Sequence, residues 1–94
     1  MGKEVKLFKS EEKRSLGEVA DFLRKLADRL DKGRVVLSQG DKKLKLKLPE
    51  VVEMEIEVEK EIGKRTTEIE MEIELKWQVD KSGNPKDKKS LSIE

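Results

Sequence analysis

Glutamate is the one chemically versatile residue that this chain holds in quantity, and it holds it in rows. Glu53, Glu55, Glu57, Glu59 and Glu61 fall at every second position, and Glu68, Glu70, Glu72 and Glu74 repeat the pattern. Neighbouring carboxylates can divide general-acid and general-base roles when their surroundings push their pKa values apart. They can also ligate a divalent ion when they converge on one point. The spacing argues against both. Residues two apart share one face of a strand at roughly 6.5 Å, too far to close on an ion without help from the next strand. On an exposed face nothing is expected to raise one carboxyl relative to another. The chain has no His and no Cys, so the usual general bases, nucleophiles and thiolate ligands are missing. Ser15 is better placed to cap a helix than to attack a substrate. No calcium-loop pattern and no glycine-rich phosphate loop is present. The expectation is no catalytic residue, no metal, no cofactor and no enzyme.

The same charges can instead recognise a partner. Glu53, Glu55, Glu57, Glu70, Glu72 and Glu74 would form an acidic face able to dock a basic protein, although a solvated charge mosaic explains the row as simply. Like charges directly opposed across strands cost from a few tenths to about 1 kcal/mol per pair, so something should offset them. Lys43, Lys45 and Lys47, with Arg34 and the tail's Lys81, Lys86, Lys88 and Lys89, could contact phosphates. Two facts count against nucleic acid. The 22 basic and 21 acidic residues leave a net charge of +1, where a dedicated binder is clearly basic. The only aromatics, Phe8, Phe22 and Trp77, lie on or near apolar faces and do not form a stacking platform.

The elements that position these groups follow from periodicity. Between Val52 and Glu59, and again between Glu68 and Trp77, apolar and charged residues alternate strictly, the period of a strand with one buried face. Gly63, between the two limbs, would supply the positive φ of a tight turn, so the stretch from Val51 to Val79 is one long antiparallel hairpin. Upstream, Ser15-Leu16-Gly17-Glu18 has the form of a capping box. Leu16, Val19, Ala20, Leu23, Leu26, Ala27 and Leu30 then follow at helical spacing, with Phe22 flanking, and Gly33 stops the helix. Arg34–Gln39 and Lys42–Leu48 read as strands joined by a Gly40-Asp41 turn. That turn sets Leu37 opposite Leu44 and Val35 opposite Leu46. Glu4–Leu7 reads as a further short strand. The expected class is α+β: two layers, one amphipathic helix packed on a twisted, mainly antiparallel sheet, in the order β-α-β-β-β-β. Pairing Leu48 with Val52 would bring Lys47, Lys45 and Lys43 opposite Glu53, Glu55 and Glu57 and supply the missing offset.

Ninety-four residues make one domain with a modest core. Residues 1–79 are read as that domain and 80–94 as a lysine-rich flexible tail, with Leu91 and Ile93 long enough for a short strand only if an edge receives them. Abundant Glu and Lys without Cys or His resembles a thermophile surface. No apolar run approaches a membrane span and no signal-peptide h-region opens the chain, so the default location is cytoplasmic, with no membrane partner.

Several of these features together resemble the Amphi-Trp domain of small bacterial and archaeal proteins. They are Leu23-Arg24-Lys25-Leu26-Ala27-Asp28 followed by Gly33, then Leu48-Pro49-Glu50, the Glu-alternating limb, and Ile73-Glu74-Leu75-Lys76-Trp77. Trp77 resembles the tryptophan of the family's name. The resemblance covers Glu4 to Gln78 and implies no reaction, ligand or catalytic residue. Trp77 itself continues the inward row of Ile73 and Leu75, so it reads as core, with an indole N–H near the sheet end that a partner could meet.

Lengths add one expectation. Sixteen helical residues span roughly 24 Å and the limb Val52–Ile62 roughly 37 Å. The hairpin tip, with Ile62, Ile69 and Met71, would project beyond its neighbours; either strand Glu4–Leu7 or a coil of the hairpin over the helix covers it within the monomer, or a second copy buries it through a two-fold contact. The expected role is therefore a small interaction module that binds an unidentified protein or a second copy of itself, with a nucleic-acid accessory role as the alternative.

Overall fold

The structure, a computed structural model, describes residues 2–86. Its elements run α1 (Leu16–Asp31), β1 (Arg34–Gln39), β2 (Lys42–Lys47), β3 (Glu53–Ile62) and β4 (Thr67–Lys76). Close contacts divide the chain into two units, Met1–Leu48 and Pro49–Glu94. The protein is α+β, with one helix and two antiparallel two-stranded sheets.

In the first unit both ends of α1 are chemically fixed. The Ser15 hydroxyl accepts from the Glu18 N–H at 3.1 Å, and the Glu18 carboxylate accepts from the Ser15 N–H at 3.5 Å. The capping box thus closes as its spacing requires. Arg14 joins it, donating to Glu18 at 3.2 Å and pairing with Glu12. At the other end Gly33 takes φ +72 and donates to the Leu30 carbonyl at 2.9 Å, the left-handed stop that a β-carbon would penalise. A β-carbon there would lie 3.6 Å from the Leu48 carbonyl, an ordinary contact. The cost of Gly33→Ala is therefore conformational, about 1–2 kcal/mol, and should appear as that loss in urea unfolding followed by helical circular dichroism.

The β1–β2 hairpin has the expected register, with Val35 opposite Leu46 and Leu37 opposite Leu44, turned at Gly40 with φ +57. α1 lies against β1. The core they share is small: among the described residues Val35 is the one buried apolar side chain. Leu26 and Leu30 of the helix stripe are half-buried, whereas Leu16, Val19, Phe22 and Leu23 are exposed.

The second unit is the long hairpin. β3 and β4 pair over ten residues each, from Glu53↔Lys76 to Ile62↔Thr67. Gly63 serves its turn differently from expectation. Its φ is not positive; instead its N–H donates to the Thr66 carbonyl at 2.9 Å, and a β-carbon would stand 2.8 Å from that oxygen. Close approach of backbone, not handedness, requires glycine there. After β4, Asp80 folds the chain back by accepting at Oδ1 from the Ser82 and Asn84 N–H groups at 2.9 and 3.0 Å, and Val79 bridges Pro85. The strand considered at Leu91 and Ile93 lies outside the described residues.

Two expectations are corrected. Glu4–Leu7 is not a strand: residues 2–15 carry no regular structure, and Val5 and Leu7 are exposed. Two apolar side chains bury too little surface to offset the ordering of the segment. The described order is therefore α-β-β-β-β. Nor do the strands join in one sheet, because β2 pairs with β1 and β3 with β4. The expected Leu48–Val52 pairing does not form. The Leu48 N–H is already donated to the Gly33 carbonyl at 2.9 Å, and Pro49 beside it has no N–H to give.

Candidate interaction surface

The register of β3 and β4 sorts their side chains onto two opposite faces. Alternation and pairing place Met54 opposite Leu75, Ile56 opposite Ile73 and Val58 opposite Met71 on one of them. Ile62 and Ile69 continue that face towards the turn, beside Thr67 and Lys60. Every residue of β3 is exposed, and Ile56, Val58, Ile73 and Met71 keep 60%, 58%, 57% and 69% of their surface in solvent. The tip residues Ile62 and Ile69 are exposed as expected. The uncovered face, however, runs the length of the ribbon and is not confined to the tip. Leu75 and Trp77 are half-buried at the other end. Trp77 lies just past the last β4 residue.

The second face is acidic. Glu55↔Glu74, Glu57↔Glu72, Glu59↔Glu70 and Glu61↔Glu68 stand directly opposed, and only Glu53 faces a cation, Lys76. Lys76 leans to Glu74, with 3.3 Å between Nζ and Oε1. The lysines expected to offset this row are not in its ladder, since Lys43, Lys45 and Lys47 lie on β2, or end it, opposite Ser38, Val36 and Arg34. Crowding has a consequence that exposure alone did not suggest. A proton shared with Glu59, and the negative charges of Glu59, Glu55 and Glu72, raise the Glu57 pKa. A shared proton and the charge of Glu70, then Glu59 and Glu74, do the same for Glu72. The expectation that no carboxyl of this row would stand apart is thus corrected.

The sign of the pH dependence follows. A raised pKa favours the protonated form in the fold, so the ribbon gains stability as pH falls through the raised values, and holds it below the ordinary carboxylate range. Glu18 behaves oppositely. Hydrogen bonds from the Ser15 backbone and hydroxyl, then Arg14, lower its pKa, and its contribution is lost only as pH falls through that lowered value. Acidifying from pH 7 into the upper carboxylate range should therefore raise the urea midpoint reported by Trp77 fluorescence. The helical circular dichroism midpoint should fall only at lower pH. Glu57→Gln with Glu72→Gln should flatten the first response.

Among the described residues no three His, Cys, Asp or Glu side chains come together as an ion site, and no helix is long and apolar enough to cross a membrane. The first unit holds a cleft of ≈ 520 Å³ that sequence reasoning missed. Arg29, Lys32, Arg34, Lys45 and Lys47 line it, together with Val35, Val36 and Leu46. The signal existed in the run Arg29…Lys32…Arg34, but its meeting with β2 depends on the turn at Gly33. Compared with known proteins, the chain matches the family model described as Amphi-Trp domain over residues 1–94, beyond the Glu4–Gln78 span of the sequence resemblance. No curated protein and no solved structure matches it.

Proposed function

The chain belongs to the Amphi-Trp domain family, and from that premise, which assigns no reaction, we propose that it is a small non-enzymatic, cytoplasmic interaction module that works by self-association through the apolar face of β3–β4. The exposed row Met54, Ile56, Val58, Met71 and Ile73 carries this reading. An isolated two-stranded ribbon with an uncovered apolar face is marginal in water, and such faces mark protein contacts. Seven side chains of this face, Ile62 and Ile69 included, offer on the order of 700 Å² of apolar surface, close to the ~800 Å² per partner of a standard interface. A second copy brings the same aliphatic face, and a two-fold stack of two ribbons leaves both acidic faces in water. Lys60, on the apolar face opposite Ile69, limits the contact to a closed pair, since an inward charge on an open-edged ribbon opposes further growth.

The absence of cysteine makes the test simple. Ile56→Cys and Glu57→Cys place single thiols on opposite faces of one strand. In purified protein of two-chain mass by light scattering, maleimide should label position 57 at least tenfold faster than position 56. Equal rates, or a one-chain mass at micromolar concentration, would overturn self-association. Lys60→Ile should yield particles larger than two chains.

A further inference from the structure

The near-zero net charge conceals a division. Residues 1–48 hold 14 basic and 8 acidic side chains, a net charge of +6, and residues 49–94 hold 8 basic and 13 acidic, a net −5. The cleft concentrates the excess: Arg29 from the last turn of α1, Lys32 from its C-cap, Arg34 from β1 and Lys45 and Lys47 from β2 line it, and among the described residues no carboxylate does. We propose that this cleft, within the first unit, is an anion site that takes a compact oligophosphate group.

Three observations carry this. None of the five cations forms an ion pair among the described residues, where the ion pairs fall to Arg14, Arg24 and Lys76. Arg34 stands directly opposite Lys47 in the ladder, a like-charge pair that destabilises the hairpin unless an anion is shared between them. Val35, Val36 and Leu46 complete the lining, and charge attraction strengthens beside apolar side chains. The helix end explains part of the cluster, because cations there answer the macrodipole, which amounts to about half a charge. That demand is met by Arg29 and Lys32 and leaves Arg34, Lys45 and Lys47 over. A planar guanidinium with flexible ammonium groups around it suits an anion bearing several phosphoryl oxygens.

The cleft is also the wrong shape for a nucleic-acid track. It gathers its cations at one end of the hairpin, while Lys42 and Lys43 at the turn end lie outside it, and its lining has no aromatic side chain to stack a base. A free polyphosphate and the phosphate tail of a nucleotide share the chemistry that remains.

Titration of the full chain with tripolyphosphate, ATP and inorganic phosphate, followed by backbone amide shifts at low salt, tests the proposal. Tripolyphosphate should bind saturably, at least about tenfold more tightly than phosphate, with shifts centred on Arg29, Lys32, Arg34, Lys45 and Lys47. Equal affinity for ATP identifies the phosphate chain as what is read; tighter binding of ATP adds a contact with the apolar lining residues. Arg34→Gln with Lys47→Gln should weaken tripolyphosphate at least about tenfold, while Lys42→Gln with Lys43→Gln stays within about twofold. Equal losses from the two pairs, or no saturation at millimolar tripolyphosphate, would overturn the site. So would a mixed-sequence oligonucleotide that binds more than tenfold tighter and shifts Lys42 and Lys43. The ribbon variant Ile56→Glu should keep the affinity, so failure of self-association leaves this site standing.

Discussion

Ile56→Glu should halve the particle mass measured by light scattering and weaken association about a thousandfold or more. Ile56 lies mid-ribbon, opposite Ile73, at the centre of the proposed contact. Removing an aliphatic side chain from a dry contact forfeits about 1.5–3 kcal/mol. The carboxylate that replaces it is stripped of water with no partner, which costs more again. In a two-fold contact each substitution counts twice. Even about 2 kcal/mol per site therefore becomes about 4 per dimer, and every 1.4 kcal/mol is a factor of ten. Ile62→Glu at the tip should do less, since Ile62 faces Thr67, is already 76% exposed, and sits where a stacked pair would end. Glu57→Lys, on the opposite face, should leave association within about tenfold. A dimer that survives Ile56→Glu but fails with Glu57→Lys would transfer the contact to the acidic face.

Where local chemistry decides, the fold was legible. Ser15 and Glu18 announced the start of α1, Gly33 its end, and Gly40 the register that sets Val35 against Leu46. Strict alternation gave β3 and β4 their faces, because a period of two has one solution once the turn is placed. Where one backbone group could take either of two partners, the sequence did not decide. The Leu48 N–H could have met Val52 or Gly33, and its donation to Gly33 leaves β2 and β3 unpaired. Gly63 was right in identity and wrong in reason, for glycine signals both positive φ and close approach. The acidic row was visible from the start. Its raised carboxyls were not: their main causes are same-strand neighbours two positions away, Glu59 for Glu57 and Glu70 for Glu72, and alternation alone does not show that such side chains lean together. The basic cleft was hidden for a similar reason: its five cations come from three elements, and only the Gly33 turn brings them together.

Those same facts locate the weakest point in the stability of the first unit. Truncating a fully packed leucine to alanine costs on the order of 2–5 kcal/mol. Leu26 is only half-buried, so its loss should fall at or below the bottom of that range. Val35 is 6% exposed, on the strand that α1 lies against. Val35→Ala should cost about 1–3 kcal/mol, by lost burial plus the cavity left behind. Val35→Thr keeps the shape but inserts a hydroxyl with no partner, at about 1–3 kcal/mol. Val35→Asp asks one thin core to hold an unpaired charge, and a domain whose total stability is some 5–15 kcal/mol should not keep α1 and β1–β2 folded under that load. Helical circular dichroism should therefore collapse for Val35→Asp at temperatures where Leu26→Ala still melts cooperatively. If Leu26→Ala proves the more damaging of the two, the core of this unit lies along the helix and not beneath Val35.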